Sequence, residues 1–282
     1  MPTKTFDPPF VAHDAGTLAG AVVVRPSAAV YRLEPLKGEP SPIAERALEQ
    51  HAILLGTLRY YGVAVTELDP ADHTPAESLV ADCAIVLPKG VILTRPSRVD
   101  RRAGTQRVEA ALAALGVPVI GRVEAPGLLD ACDVALGGDT LYVGVPRSGA
   151  GLRPRSNELG RRNLEELAAA QGLRTVELAL APDVLRLRNV LSFVARDTVV
   201  AATERVDVVP LANLNVVQVV RGEEFAAGVL AFGERRVLAN LRYRESIALL
   251  RKAKVAVEAI DLWEFGKAGA GPFSLVLAAK RG

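Results

Sequence analysis

The sequence predicts an α/β protein of ββαβ-type repeats arranged as a five-bladed β/α propeller. Three observations carry this. Short β-rich runs, split by Gly, Asp or Pro turns, recur along the chain as hairpins. Most hairpins lead into an amphipathic helix and then an apolar strand. The first and last segments are each an incomplete repeat, and pairing the last strand with the first completes a fifth unit. Repetition at a roughly fixed period points to a solenoid, a propeller or an array. Closing the ring also removes exposed sheet edges.

The elements follow in order. Residues 1–19 are expected to form an N-terminal arm and 20–282 a single domain. A strand is expected over 20–25, a helix over 42–61 and a strand over 63–68. The first hairpin runs through Ala84, the turn Pro88-Lys89-Gly90 and Leu93. The second passes through Asp133, Gly137-Gly138-Asp139 and Val143; the third through Leu191, Arg196-Asp197 and Val200; the fourth through Gly228, Gly233-Glu234 and Leu238. Helices are expected over 101–115, 157–170 and 244–252, because apolar residues recur at spacings of three and four: Val108, Ala111, Leu112 and Leu115 in the first. Apolar strands follow over 117–120, 175–178 and 255–260. The unit that opens at Leu191 is weaker, since Pro210 shortens its helix, yet 216–220 still reads as a strand. The last strand is expected over 273–279.

The formal charge of +2 gives no electrostatic reason to expect a nucleic-acid or membrane partner. The longest apolar run near the start, 15–24, stops at Arg25-Pro26 and is too short to span a bilayer. No basic segment followed by an apolar one suggests a secretory signal. Cys83 and Cys132 cannot make a disulfide framework and fit a reducing cytosol. No P-loop, metal-binding helix or zinc-spaced cysteine pair occurs, so no cofactor or metal is expected.

Four stretches carry a family resemblance. Gln50-His51 lies in the first helix. Asp82-Cys83 precedes a strand ending in Leu93-Thr94-Arg95-Pro96, followed by Arg101-Arg102. Leu129-Asp130-Ala131-Cys132-Asp133 is followed by Tyr142-Val143-Gly144. Arg155-Ser156-Asn157 is followed by Gly160. In this order and spacing they resemble dimethylarginine dimethylaminohydrolase, within the arginine deiminase and amidinotransferase superfamily, over roughly residues 22–280. The resemblance implies the five-bladed propeller with a site on its axis.

It also implies roles. Asp82 and Asp130 match acidic groups that face a substrate guanidinium. Arg101 and Arg155 match arginines that hold the carboxylate of an amino-acid substrate. A planar guanidinium fork suits a carboxylate, and carboxylates suit a guanidinium. The reactive groups are not matched. Pro272, with Phe273 after it, stands at the family's nucleophilic cysteine, and neither can be a nucleophile. Arg186, in Leu185-Arg186-Leu187-Arg188, stands at its general acid/base histidine, and a permanently charged guanidinium cannot shuttle a proton near neutral pH. Lys267 stands at a family acidic position.

The reading is therefore a catalytically inactive homologue that binds a ligand or a partner, with Asp82, Arg101, Asp130, Arg155 and Arg186 as ligand-binding residues and no catalytic residue. Arg186 has two readings. It helps bind an anion together with Arg101, Arg155 and Lys267, or it fills the pocket against Asp82 or Asp130. The second is preferred, because a buried carboxylate without a partner is costly. The alternatives are an active amidino hydrolase, using Cys132 or a water between Asp82 and Asp130, and a structural subunit. Cys132 reads otherwise as a small packing residue. His51 reads as a structural hydrogen bonder, and His13 and His73 as exposed loop residues. Gly149, Gly151 and their neighbours over 148–154 read as a flap or an inert loop. A small amino-acid-like or anionic ligand, a homodimer or hetero-oligomer, and a cytoplasmic location complete the expectations.

Overall fold

A computed structural model describes residues 4–71, 74–147 and 155–282. The expectations for His73 and for the loop over 148–154 lie outside the described residues. Among the described residues, the strands form five three-stranded sheets. They are β1 (Leu18–Val24), β2 (Ala64–Leu68) and β15 (Leu277–Arg281); β3 (Ala84–Leu87), β4 (Gly90–Leu93) and β5 (Val119–Arg122); β6 (Val134–Gly137), β7 (Thr140–Pro146) and β8 (Arg174–Leu180); β9 (Leu191–Ala195), β10 (Thr198–Ala201) and β11 (Asn215–Gln218); β12 (Leu230–Gly233), β13 (Arg236–Asn240) and β14 (Ala256–Ile260).

One wiring rule holds in every sheet. The middle strand pairs antiparallel with its hairpin neighbour and parallel with the strand after the crossover. In the first sheet the hairpin neighbour comes from the far end of the chain: β1 pairs antiparallel with β15, Leu18 opposite Arg281, and parallel with β2, Gly20 opposite Ala64. The terminal strands thus pair as expected.

Helices make four of the five crossovers: α1 (Ala44–Tyr60), α2 (Arg102–Ala114), α3 (Glu158–Ala169) and α5 (Arg244–Lys252). α4 (Leu187–Val190) and α6 (Trp263–Gly266) are single turns. Between β10 and β11 the helix is reduced to a short 3-10 turn, Val209–Leu211, opened by Pro210. Gly62, Gly116 and Gly172 follow three of the crossover helices with φ of 78°, 83° and 79°, where a side chain would be strained. Lys254 takes the equivalent place after α5 with φ 61°.

Burial follows the wiring. β3 and β4 are buried along their whole length and read as continuous apolar runs. The third strands, such as β2 and β5, are only partly buried. On α1, Ala47, His51, Leu54, Leu55 and Leu58 make the inward stripe.

Two expectations are corrected. The last strand begins at Leu277, because Pro272–Leu275 closes a 3-10 turn with Pro272 at its start, where a missing N–H costs nothing. His13 is buried: its Nδ1 accepts from the Ala15 amide at 3.0 Å and its ring meets Phe193 edge-on at 4.9 Å. The segment before β1 is held down, not free. Phe6, Phe10 and Val11 are buried in the core. Phe10 N donates to Pro88 O, Asp14 N to Leu136 O, and Arg281 N to Phe10 O, at 2.9, 2.9 and 2.7 Å.

Short helical turns precede the first strand of each hairpin: Val80–Cys83, Ala131–Asp133, α4, Glu224–Ala227 and Pro272–Leu275. Val80–Cys83 packs against Ala131–Asp133 and Pro272–Leu275, and α4 packs against Ala131–Asp133 and Glu224–Ala227. The Phe273 ring packs on Gly228. The candidate site lies among these turns.

Candidate functional site

Asp82, Arg101, Asp130, Arg155 and Arg186 come together as one buried ion cluster, although they arise from five separate turns and loops. The Val80–Cys83 turn presents Asp82, whose backbone carbonyl accepts from Thr94 Oγ1 at 2.7 Å, tying the turn to the residue after β4. Arg101 closes the 3-10 turn Val99–Arg101 that enters α2. Its Nη1 pairs with Asp82 Oδ2 and lies 3.7 Å from Asp130 Oδ2, while Nη2 donates to Leu79 O at 3.2 Å. Arg155 Nη1 lies 3.5 Å from Asp130 Oδ2, and Arg186 Nη2 donates to Asp82 Oδ2 at 3.2 Å. Asp130 precedes its turn without capping it through the side chain, so the carboxylate is left for the cations.

The Ser156-Asn157 element acts as scaffold. Asn157 Oδ1 accepts from Gly160 N, capping α3, and from Leu128 N, each at 2.8 Å. Gly160 lets α3 close on that loop, since a Cβ there would stand 2.0 Å from Leu128 O. Ser156 Oγ accepts from Asp130 N at 3.1 Å and donates to Asp133 Oδ2 at 2.5 Å. Leu187 N donates to Asp133 Oδ1 at 3.4 Å, fixing the turn that carries Arg186.

Asp133 and Ser156 belong to this assembly, and neither was among the expected site residues. Asp133 read as the start of a strand. The available signal was its spacing of three from Asp130, which places both carboxyls on one short turn.

Burial and neighbouring charge set the electrostatics. Burial pushes the Asp82 carboxyl up, but Arg101 and then Arg186 outweigh it and hold it below the usual range. Burial, and then the Asp82 charge, push Asp130 up. The same two causes, burial and then Asp130, raise Asp133 to about 7. Three guanidiniums, Arg101, Arg155 and Arg186, thus meet two carboxylates, Asp82 and Asp130. Burial and then Arg186 lower Arg155, the most open of the five, with 21% of its side chain exposed. Asp82 Oδ1, both Asp130 oxygens, and Nε of Arg155 and Arg186 have no hydrogen-bond partner.

The turn carrying Pro272 packs against the turn carrying Asp82. Lys267 does not join the arginines: its ammonium donates to Glu264 at 2.6 Å, in a separate buried group where Gln50 Oε1 accepts from Glu264 N. An i,i+3 carboxylate on the same turn captures it. His51 is buried with Nε2 unpartnered, and burial lowers its pKa to about 4. Cys83 and Cys132 are buried free thiols. Burial raises Cys83 to about 11, and burial and then Asp82 raise Cys132 well above the ordinary thiol. Among the described residues, no group of three or more His, Cys, Asp or Glu is placed to hold a metal.

No family model matches the chain. Known proteins do. An N(G),N(G)-dimethylarginine dimethylaminohydrolase of Streptomyces coelicolor is 33% identical over 221 residues, which cover 78% of this chain and 81% of that one. The enzyme of the same name from Pseudomonas aeruginosa is 28% identical over 219 residues, 77% of this chain and 83% of that one. A solved structure of a mutant of the Pseudomonas aeruginosa enzyme, complexed with citrulline, superimposes with a TM-score of 0.83 at 24% identity, over 93% of this chain and 99% of that one. With these likenesses running over most of both chains, the chain belongs to the dimethylarginine dimethylaminohydrolase family.

Proposed function

We propose that the chain is a catalytically inactive member of this family, a five-bladed propeller closed through β1 and β15, whose axial pocket is occupied by its own guanidinium. Residues 20–282 form one domain in this reading, and 1–19 an arm laid across it. The carrying observation is the Arg186 Nη2 to Asp82 Oδ2 bond of 3.2 Å between two buried groups. A relative has been solved with citrulline. In a site of that kind, Asp82 would be expected to face the guanidino end of a ligand, and here Arg186 supplies that group from within. The position of a proton-shuttling histidine is thereby filled by a group that keeps its proton, and Pro272 offers no nucleophilic atom.

The cluster retains a binding capacity of different sign. Arg101, Arg155 and Arg186 outnumber the ionised carboxylates, and Arg155 is the most exposed of them. A ligand carrying a carboxylate or another anionic group suits this pocket better than a substrate-like cation. A partner protein presenting such a group is the same chemistry on a larger body. We read the chain further as cytoplasmic and as a homodimer or part of a hetero-oligomer. Among the described residues no helix is long and apolar enough to cross a membrane.

The alternative, a working hydrolase with Cys132 as nucleophile, requires a thiolate. The thiol is buried beside the Asp82 charge and its pKa is raised, which opposes that requirement. The test is paired. Purified protein incubated with dimethylarginine, arginine or agmatine should give no citrulline, and citrulline that disappears in Cys132→Ala would overturn the reading. Calorimetric titration with arginine, citrulline and simple dicarboxylates should show heat for the dicarboxylates. Silence with all of them leaves the protein-partner form.

A further inference from the structure

A second cationic cavity lies beyond the turns that hold Asp82 and Asp130, and it shares none of the five cluster residues. Its volume is about 80 Å³, and its walls include Val11, Asp14, Cys132, Arg188, Phe273 and Arg281. On the same measure a single water needs roughly 10–15 Å³, so a small ion fits with water beside it. The segment preceding β1 forms one wall, with Asp14 fixed by its bonds to both the amide and the carbonyl of Leu136.

Arg281 is the anomaly. It is 4% exposed, and among the described residues no carboxylate lies within ion-pair distance of it. Nη1 donates to Gly16 O and Ala231 O, each at 2.8 Å, and Nε has no partner. Buried arginines are ordinarily paired with a carboxylate, as Arg101 and Arg186 are in the cluster above, because an unpaired buried charge is costly. Burial brings the Arg281 pKa down to about 10, which still leaves it a cation at neutral pH.

The rest of the cavity adds positive charge. Arg188 sits 5.4 Å above the Phe273 ring and spends Nη1 on Asp14. Asp14 is the one carboxylate in the lining, against two guanidiniums. The Cys132 thiol and the nearby His13 ring contribute no charge at neutral pH, since burial raises the first pKa and lowers the second. One positive charge is therefore left over inside a lined, partly apolar hollow.

We propose that this cavity binds a small monoanion, of halide or carboxylate type, between the guanidiniums of Arg281 and Arg188, with Asp14 as the counter-charge that limits its affinity. A monoanion neutralises the surplus cation that Arg281 and Arg188 leave over Asp14. A dianion would be over-charged for the site, and a cation is excluded by it. The site is separate from the Asp82 cluster, so each can stand or fall alone.

The experiment uses the full chain in two measurements. Crystals soaked in sodium bromide should give an anomalous peak between Arg188 and Arg281. Calorimetric titration with sodium formate should follow the cavity charge: Asp14→Asn, which keeps an acceptor for Leu136 N, binds at least about tenfold tighter, and Arg188→Gln binds at least about tenfold weaker. Arg188→Gln is chosen over an Arg281 variant because Arg281 also holds two backbone carbonyls. No bromide peak in this cavity, or a peak confined to Arg101, Arg155 and Arg186, overturns the proposal. So does formate affinity that neither substitution changes, whatever the crystals show.

Discussion

Arg186 and Asp82 are 104 residues apart in sequence and meet in the buried cluster, Nη2 to Oδ2 at 3.2 Å. Arg101 binds the same oxygen from another side. One carboxylate thus joins two guanidiniums from different repeats, and the bond is a latch as well as a charge pair.

Removing the latch should open a guanidinium-sized hole. Arg186→Ala is expected to lower stability by about 2–4 kcal/mol, below the cost of fully orphaning a buried ion, because Arg101 still serves Asp82. Millimolar methylguanidine should then raise the melting temperature of the variant and leave wild type unchanged. Equal responses of the two proteins would show that Arg186 does not occupy that space.

Asp133 should give a pH-dependent term of definite sign. Its folded pKa is raised to about 7 from 3.8, so the folded state holds the proton more tightly. Its contribution is best below about pH 4, declines as pH rises through 7 and is flat above, a span of order 4 kcal/mol. His51, lowered to about 4, acts oppositely: stability is lost as pH falls from 6.5 through 4. Urea midpoints of Asp133→Asn minus wild type, measured from pH 4 to 8, cancel the histidine. That difference should grow with pH in favour of the variant.

Both cysteines should be silent in the folded protein. Cys83 and Cys132 are buried with raised pKa values, so a disulfide reagent at pH 8 should find no thiol until denaturant is added, and then both. Rapid modification of Cys132 in the native state would revive the nucleophile reading.

Two glycines should respond in opposite directions to the same change. Gly160→Ala places a methyl 2.0 Å from Leu128 O and is expected to cost about 1–3 kcal/mol, loosening Asn157 and Ser156 with it. Gly56→Ala, inside α1 with open space at its Cβ, should stabilise by about 0.5–1 kcal/mol. Chemical denaturation of both variants reads the contrast.

Much of this architecture was legible because it is local. The hairpins around Pro88, Gly137, Arg196 and Gly233 announce themselves through turn residues between apolar runs, and α2 through the spacing of Val108, Ala111, Leu112 and Leu115. The start of β15 was misread because Phe273, Leu275 and Leu277 alternate like a strand while Pro272 opens a helical turn instead. His13 was misplaced because its burial comes from Phe193 in a distant repeat, which no window around residue 13 contains. The same distance hid Asp133, whose partners Ser156 and Leu187 lie 23 and 54 residues on. It hid the capture of Lys267 by Glu264 for another reason. The pair is local, but only the fold shows that Glu264 is buried and faces it.

The pairing of β1 with β15 also governs when the molecule can be finished. The first sheet needs residues 18–24 and 277–281 together, and the ordering cost of joining such remote segments is met late. Until residues 277–281 have been made, β1 offers an open edge to any passing strand.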